Sequence, residues 1–176
     1  MGSRLMYLSR WHPDQPAARS SQLVERNKLM DQIRPWLWVG NQYDTQDLTT
    51  LKTHHISAIL QLHRHIKQPN IQELFIPIEE GYPIPPYYIK QAMAFVIKAK
   101  AAGHVILVAC GAGISRSVIF ATAALKIVEN LTLPQAFSEV LKRHAKAMPD
   151  EVHWQSMNDY FGENTDYWEM WRTITL

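Results

Sequence analysis

The chain has 176 residues, a net charge of +2, 47% hydrophobic and 19% charged residues. That is the length of one domain and the composition of a folded globular one, which excludes a disordered or collagen-like chain. So small a net charge gives no reason to expect nucleic acid, and one cysteine excludes an internal disulfide or a cysteine-built zinc site.

Residues 1–30 are polar, with Arg4, Arg10, Arg19 and Arg26, and read as an N-terminal arm. They contain no unbroken apolar stretch of the kind a secretory signal needs. From Ile33 the pattern tightens. Residues 36–39 (WLWV) form a short apolar strand ended by Gly40-Asn41, and Asp44 is placed to cap a helix over about 45–53. Residues 56–62 (ISAILQL) read as a strand. Residues 74–78 (LFIPI) read as another, at a sheet edge because Pro77 cannot donate to a ladder. Residues 79–86 (EEGYPIPP) are a loop.

Ile89, Met93, Val96 and Ile97 recur at helical spacing, giving a helix over 87–102 with Gly103 as its stop. Residues 104–109 (HVILVA) are nearly all apolar, as a central strand would be. Residues 117–129 (SVIFATAALKIVE) are apolar almost all round and read as a buried helix. Thr132 and Gln135 form a capping box, with Pro134 in the first turn of a helix to about Ala145. Asp150 caps a further helix to about Phe161. A tail over 162–176 carries Trp168 and Trp171. Trp36, Trp38 and Trp154 are expected in or at the edge of the core. The longest apolar stretch, about 92–128, is broken by charges and predicts no membrane span. The fold class is α/β, a central sheet flanked by helices, with the main domain over residues 31–161.

The chemistry concentrates where the 104–109 strand runs into the 117–129 helix. The connecting residues are Cys110, Gly111, Ala112, Gly113, Ile114, Ser115, Arg116 and Ser117. Amides at a helix N-terminus lack partners, and with the helix dipole they make an anion site. Gly111 and Gly113 let the loop curl so that these amides converge. Cys110 stands at the mouth of the site, where a positive field favours the nucleophilic thiolate. Arg116 carries a planar fork that can hold two oxygens of a phosphoryl group. Ser117 can hydrogen-bond the sulfur as it leaves. Cys-x5-Arg-Ser between strand and helix thus encodes attack on phosphorus through a cysteinyl-phosphate. Residues 111–116 are the expected phosphate binders.

This stretch resembles the loop of the small dual-specificity phosphatases, members of the cysteine-based protein tyrosine phosphatases. Their pattern is His-Cys-x-x-Gly-x-Ser-Arg-Ser, and here the residue before the cysteine is Ala109. Residues 33–41 and 56–60 resemble that family's first strands, so the likeness covers about residues 31–161. The resemblance implies a phosphotyrosine-phosphatase-like fold, no metal or other cofactor, and a phosphorylated protein as substrate. It implies hydrolysis of phosphotyrosine, with phosphoserine and phosphothreonine as further substrates. The family's histidine helps to hold the loop and the thiolate, so Ala109 implies a less rigid loop and a less acidic thiol.

The resemblance also calls for an aspartic acid about 30 residues before the cysteine, to protonate the leaving oxygen. Here that place holds glutamates: Glu80, with Glu79 as the fallback. Members of the resembled family that act on phosphoinositides tend to carry Lys or Arg inside this loop, so by the resemblance the uncharged Gly111, Ala112 and Ile114 imply a phosphoprotein rather than a phosphoinositide. His63, Arg64, His65 and Lys67 form a basic loop, either at the pocket rim or simply solvated. His54, His55, His63 and His65 lack the further ligands a metal site would need. A low-turnover phosphate-binding module is the alternative function; an arsenate reductase or sulfur transferase is a third. The lone cysteine suits the reducing cytoplasm. The sequence is silent on oligomeric state.

Overall fold

The computed structural model describes residues 30–174; apart from Met30, the N-terminal arm lies outside them. Five strands form one sheet: β1 (Asp31–Arg34), β2 (Leu37–Asn41), β3 (Ile56–Gln61), β4 (Gln72–Phe75) and β5 (Val105–Cys110). Their spatial order is β1-β2-β5-β3-β4. β1 runs antiparallel to β2, and every other pairing is parallel. The apolar β5 lies at the centre and β4 at an edge, as residue content predicts. β4 covers Gln72–Phe75 where 74–78 was expected, and beyond it the Ile76 and Ile78 N–H groups still donate to the Gln61 and Leu62 carbonyls, leaving Pro77 on the open edge, where no N–H is needed.

The helices are α1 (Leu48–Thr53), α2 (Pro86–Ala101), α3 (Arg116–Glu129), α4 (Leu133–Arg143), α5 (Glu151–Phe161) and α6 (Tyr167–Ile174). Side chains alternate across the sheet, as strand geometry requires. Leu37, Val39, Leu60, Ile106, Val108 and Cys110 point into a large core with α2 to α6. Trp38, Ile59, Leu107 and Ala109 point into a smaller one, closed by Leu51 of α1 and by Met30. α3 is buried along most of its length. The capping box on α4 is formed in full, and Asp150 caps α5 by accepting the Val152 N–H.

Two expectations are corrected, and one strand is added. The cap of α1 is Asp47, whose carboxylate accepts from Thr49 and Thr50. Asp44 is instead buried, taking the Asn41 N–H at 2.7 Å, and burial pushes its carboxyl up from its ordinary value. Gly40 and Asn41 do not end β2 but belong to it. The hairpin strand β1 went unpredicted, since DQIR holds a single apolar residue, Ile33.

The tail residues carry a helix that packs on the rest of the chain. Met170 is fully buried, Trp171 meets Phe137 edge-on at 5.3 Å, and Trp154 Nε1 donates to the Thr165 carbonyl. Trp168 remains exposed. Among the described residues, no single helix is long and apolar enough to cross a membrane.

Candidate active site

Cys110 closes β5, and Arg116 opens α3, so residues 111–115 bridge the C-terminal end of the central strand and a helix N-terminus. The Gly113 N–H donates to Cys110 Sγ at 3.2 Å. Ser117 Oγ lies 3.3 Å from the same sulfur; it receives the thiol hydrogen, or donates its own once the sulfur is a thiolate. The loop rests on the end of β2. Gly113 has φ +76, and a Cβ there would come within 2.9 Å of the Gly40 carbonyl oxygen. Glycine is therefore required twice over, for conformation and for space.

Ser115 does not cap α3 with its side chain. Its hydroxyl accepts the Asp150 N–H instead, at 3.1 Å. The first amides of α3 thus have no side-chain acceptor within the helix, the condition for receiving an anion.

Arg116 is almost wholly buried. Its Nη1 donates to the Ile78 carbonyl at 2.8 Å and lies 3.4 Å from His63 Nδ1. Its Nε is 2.5 Å from Glu80 Oε2, although the N–H is not aligned on that oxygen. Position 111 is also tight: a Cβ there would meet Arg116 Nη2 at 3.2 Å and the His63 ring at 3.4 Å. The structure thus brings Cys110, Ser117, Gly113, Arg116 and Glu80 together. Ile114 is partly exposed beside Met148, whose N–H its carbonyl accepts.

Of the two glutamates, only the Glu80 carboxylate reaches Arg116. Glu79 contributes its backbone carbonyl, which accepts from His153 Nε2 at 3.1 Å. The Ile84 N–H donates to Ser156 Oγ at 3.0 Å. α5 therefore pins the acid-bearing loop at two points. In the basic loop, His63 comes to the rim beside Arg116, whereas His65 turns away to pair with Glu73 and stack on Phe75.

Sequence reasoning overlooked His153, and it treated Asp150 only as a cap. Asp150, His153 and Glu80 bring one ligand-type atom each within 4.8 Å of one another. The Arg116 guanidinium already holds the Glu80 carboxylate, and its charge opposes a cation there. A second overlooked histidine, His144, is fully buried, with one ring nitrogen on Asp31 and the other on the Gly113 carbonyl. Neither histidine leaves a signal in sequence, because each meets its partner only through the tertiary fold.

A family model described as the dual specificity phosphatase catalytic domain matches residues 37–163. The chain belongs to the dual specificity phosphatase family. It is 26% identical over 132 residues to dual specificity protein phosphatase 19 of Mus musculus, covering 73% of this chain and 60% of that one. With dual specificity protein phosphatase 5 of Homo sapiens it shares 28% identity over 123 residues, which is 68% of this chain and 32% of that one. The chain thus spans less than two thirds of either relative. Its structure superposes on that of DUSP15 with a TM-score of 0.71 at 26% identity, covering 83% of this chain and 94% of that one. The mixed five-stranded sheet with flanking helices is the fold of these phosphatases.

Proposed function

We infer that the protein is a phosphoprotein phosphatase that works through a cysteinyl-phosphate on Cys110. The observation that carries this reading is a buried sulfur held by the Gly113 N–H at an uncapped helix N-terminus that Arg116 opens, within a chain of this family.

A phosphate monoester enters with its oxygens on the loop amides and the Arg116 guanidinium, a planar bidentate donor. The dianion competes with Glu80 for Arg116, and the displaced carboxyl beside it takes up a proton. The Cys110 thiolate attacks phosphorus. The P–O ester bond breaks, its electron pair goes to the leaving oxygen, and Glu80 supplies the proton. A water then attacks the S–P bond at phosphorus, gives its proton to Glu80, and releases inorganic phosphate. Ser117 Oγ donates to the sulfur as it departs. The uncharged side chains of Gly111, Ala112 and Ile114 support a phosphoprotein substrate. Tyr43, Tyr82 and Met148 are large and exposed, and they would suit an aryl phosphate. A lone nucleophilic thiol suits a reducing compartment.

Leaving-group dependence tests the assignment of Glu80. Glu80→Gln should slow hydrolysis of an alkyl or poor aryl phosphate by about 10²–10⁴-fold, the usual worth of general acid catalysis. It should hardly affect an aryl phosphate whose oxygen leaves unprotonated. Equal slowing of both substrates would remove Glu80 from the reaction, and no turnover in the wild type would leave a phosphate-binding module.

A further inference from the structure

The family loop carries a histidine before its cysteine, and this chain has Ala109. Ala109 is buried in the small core with Trp38, Ile59 and Leu107, so no side chain at position 109 hydrogen-bonds the loop. We propose that His144, paired with Asp31, is the positioning residue of the phosphate loop: a buried imidazolium that fixes Gly113 and places a positive charge behind the residue whose N–H holds the sulfur. The proposal rests on the phosphatase reading above.

The geometry starts at Gly113. Its N–H donates to Cys110 Sγ at 3.2 Å, and its carbonyl oxygen is 2.7 Å from His144 Nε2. The peptide groups on both sides of one Cα are thereby held, one by the sulfur and one by the ring. Gly113 is the residue that most needs holding, since its φ of +76 lies where glycine has no preference of its own to keep it. The following peptide is trans, so a carbonyl drawn towards His144 turns the Ile114 N–H the opposite way.

The chemistry of the partners decides the state of the ring. A carbonyl oxygen only accepts, so Nε2 carries a hydrogen. Asp31 Oδ2 is 2.8 Å from Nδ1, at a place that leaves a quarter of the Asp31 side chain in water. An ionised carboxylate also only accepts, so Nδ1 carries a hydrogen too. A ring with two N–H groups is a cation, and it is separated from the sulfur by Gly113 alone. An imidazolium in that position favours the thiolate.

The brace joins two elements. Asp31 opens β1, and His144 ends α4, which packs against both α3 and β1. Asp44, in the turn after β2, faces both Asp31 and Lys146.

Two variants and two readouts test this. Asp31→Asn keeps shape and hydrogen-bonding capacity at a partly exposed position but removes the countercharge, leaving a neutral ring that can still hold Gly113. His144→Gln removes ring and charge together. In 15N-histidine-labelled protein, the wild type should show one ring with two slowly exchanging N–H protons, absent from His144→Gln and reduced to one in Asp31→Asn. The rate of Cys110 alkylation by iodoacetamide should reach half its plateau about one pH unit higher in both variants, a tenfold loss of thiolate below that midpoint. Urea unfolding checks that each variant is folded. A single ring N–H in the wild type, or an unchanged alkylation midpoint in folded Asp31→Asn, would overturn the proposal. If instead the folded wild type is not alkylated at neutral pH, it is the phosphatase reading that fails.

Discussion

Substituting alanine for Gly113 probes the loop's geometry without removing any reactive group. The backbone there sits at φ +76, and the new Cβ would lie 2.9 Å from the Gly40 oxygen and 3.0 Å from the Gly40 carbon. Those are backbone atoms of β2, which cannot rotate aside. The left-handed conformation costs a non-glycine residue about 1–2 kcal/mol, and forcing a methyl into a packed site costs about 1–3 kcal/mol more. Urea unfolding of Gly113→Ala should therefore show a loss of about 2–5 kcal/mol. The sulfur's N–H partner belongs to the same residue, so turnover should also fall, by about a hundredfold for a displacement near 1 Å. Gly111→Ala is the control. Its Cβ would press on the ends of two side chains, Arg116 and His63, so it should lower turnover through Arg116 with little change in unfolding. Wild-type stability in Gly113→Ala would refute the account of how the loop rests on β2.

Met170 is fully buried beneath the last helix, so Met170→Ala should cost about 2–5 kcal/mol in urea unfolding; a neutral result would show that α6 does not dock. Burial raises the Asp44 carboxyl above its ordinary 3.8, against the opposing pull of the Asn41 N–H. The folded state thus binds this proton more tightly than the unfolded one, and rising pH costs stability from about pH 4 until the folded group has ionised. Asp44→Asn lacks that loss, so its stability relative to wild type should improve between pH 4 and pH 7 in urea unfolding. The same difference at both pH values would contradict the assignment.

The parts of the fold readable in sequence were those set by local rules. The apolar run of β5, the glycine after α2, the capping box of α4 and the aspartate cap of α5 each depend on neighbours a few residues away. So does the loop from Cys110 to Ser117, which is why its residue types pointed to a candidate site. Errors arose where tertiary context chose between equivalent local options. Asp44 and Asp47 both suit a helix start, and the Asn41 N–H claims the first. β1 has little apolar pattern because it is the outer strand of a hairpin. Glu80 was singled out, with Glu79 as the fallback, because the resemblance calls for an acid about 30 residues before Cys110; the Glu80 contact with Arg116 had no signal in the sequence. His144 reaches Asp31 across 113 residues of chain, and no periodicity encodes that.

The central claim is a covalent phosphoryl group on Cys110, and rapid acid quench of the enzyme with an excess of activated aryl phosphate tests it most directly. Peptide mass spectrometry should find one phosphoryl group on the Cys110 peptide at the earliest times, and Cys110→Ser should show neither adduct nor turnover while still binding vanadate through the loop and Arg116. Steady turnover by Cys110→Ser, or turnover in the wild type with no phosphoryl group on Cys110, would contradict the account.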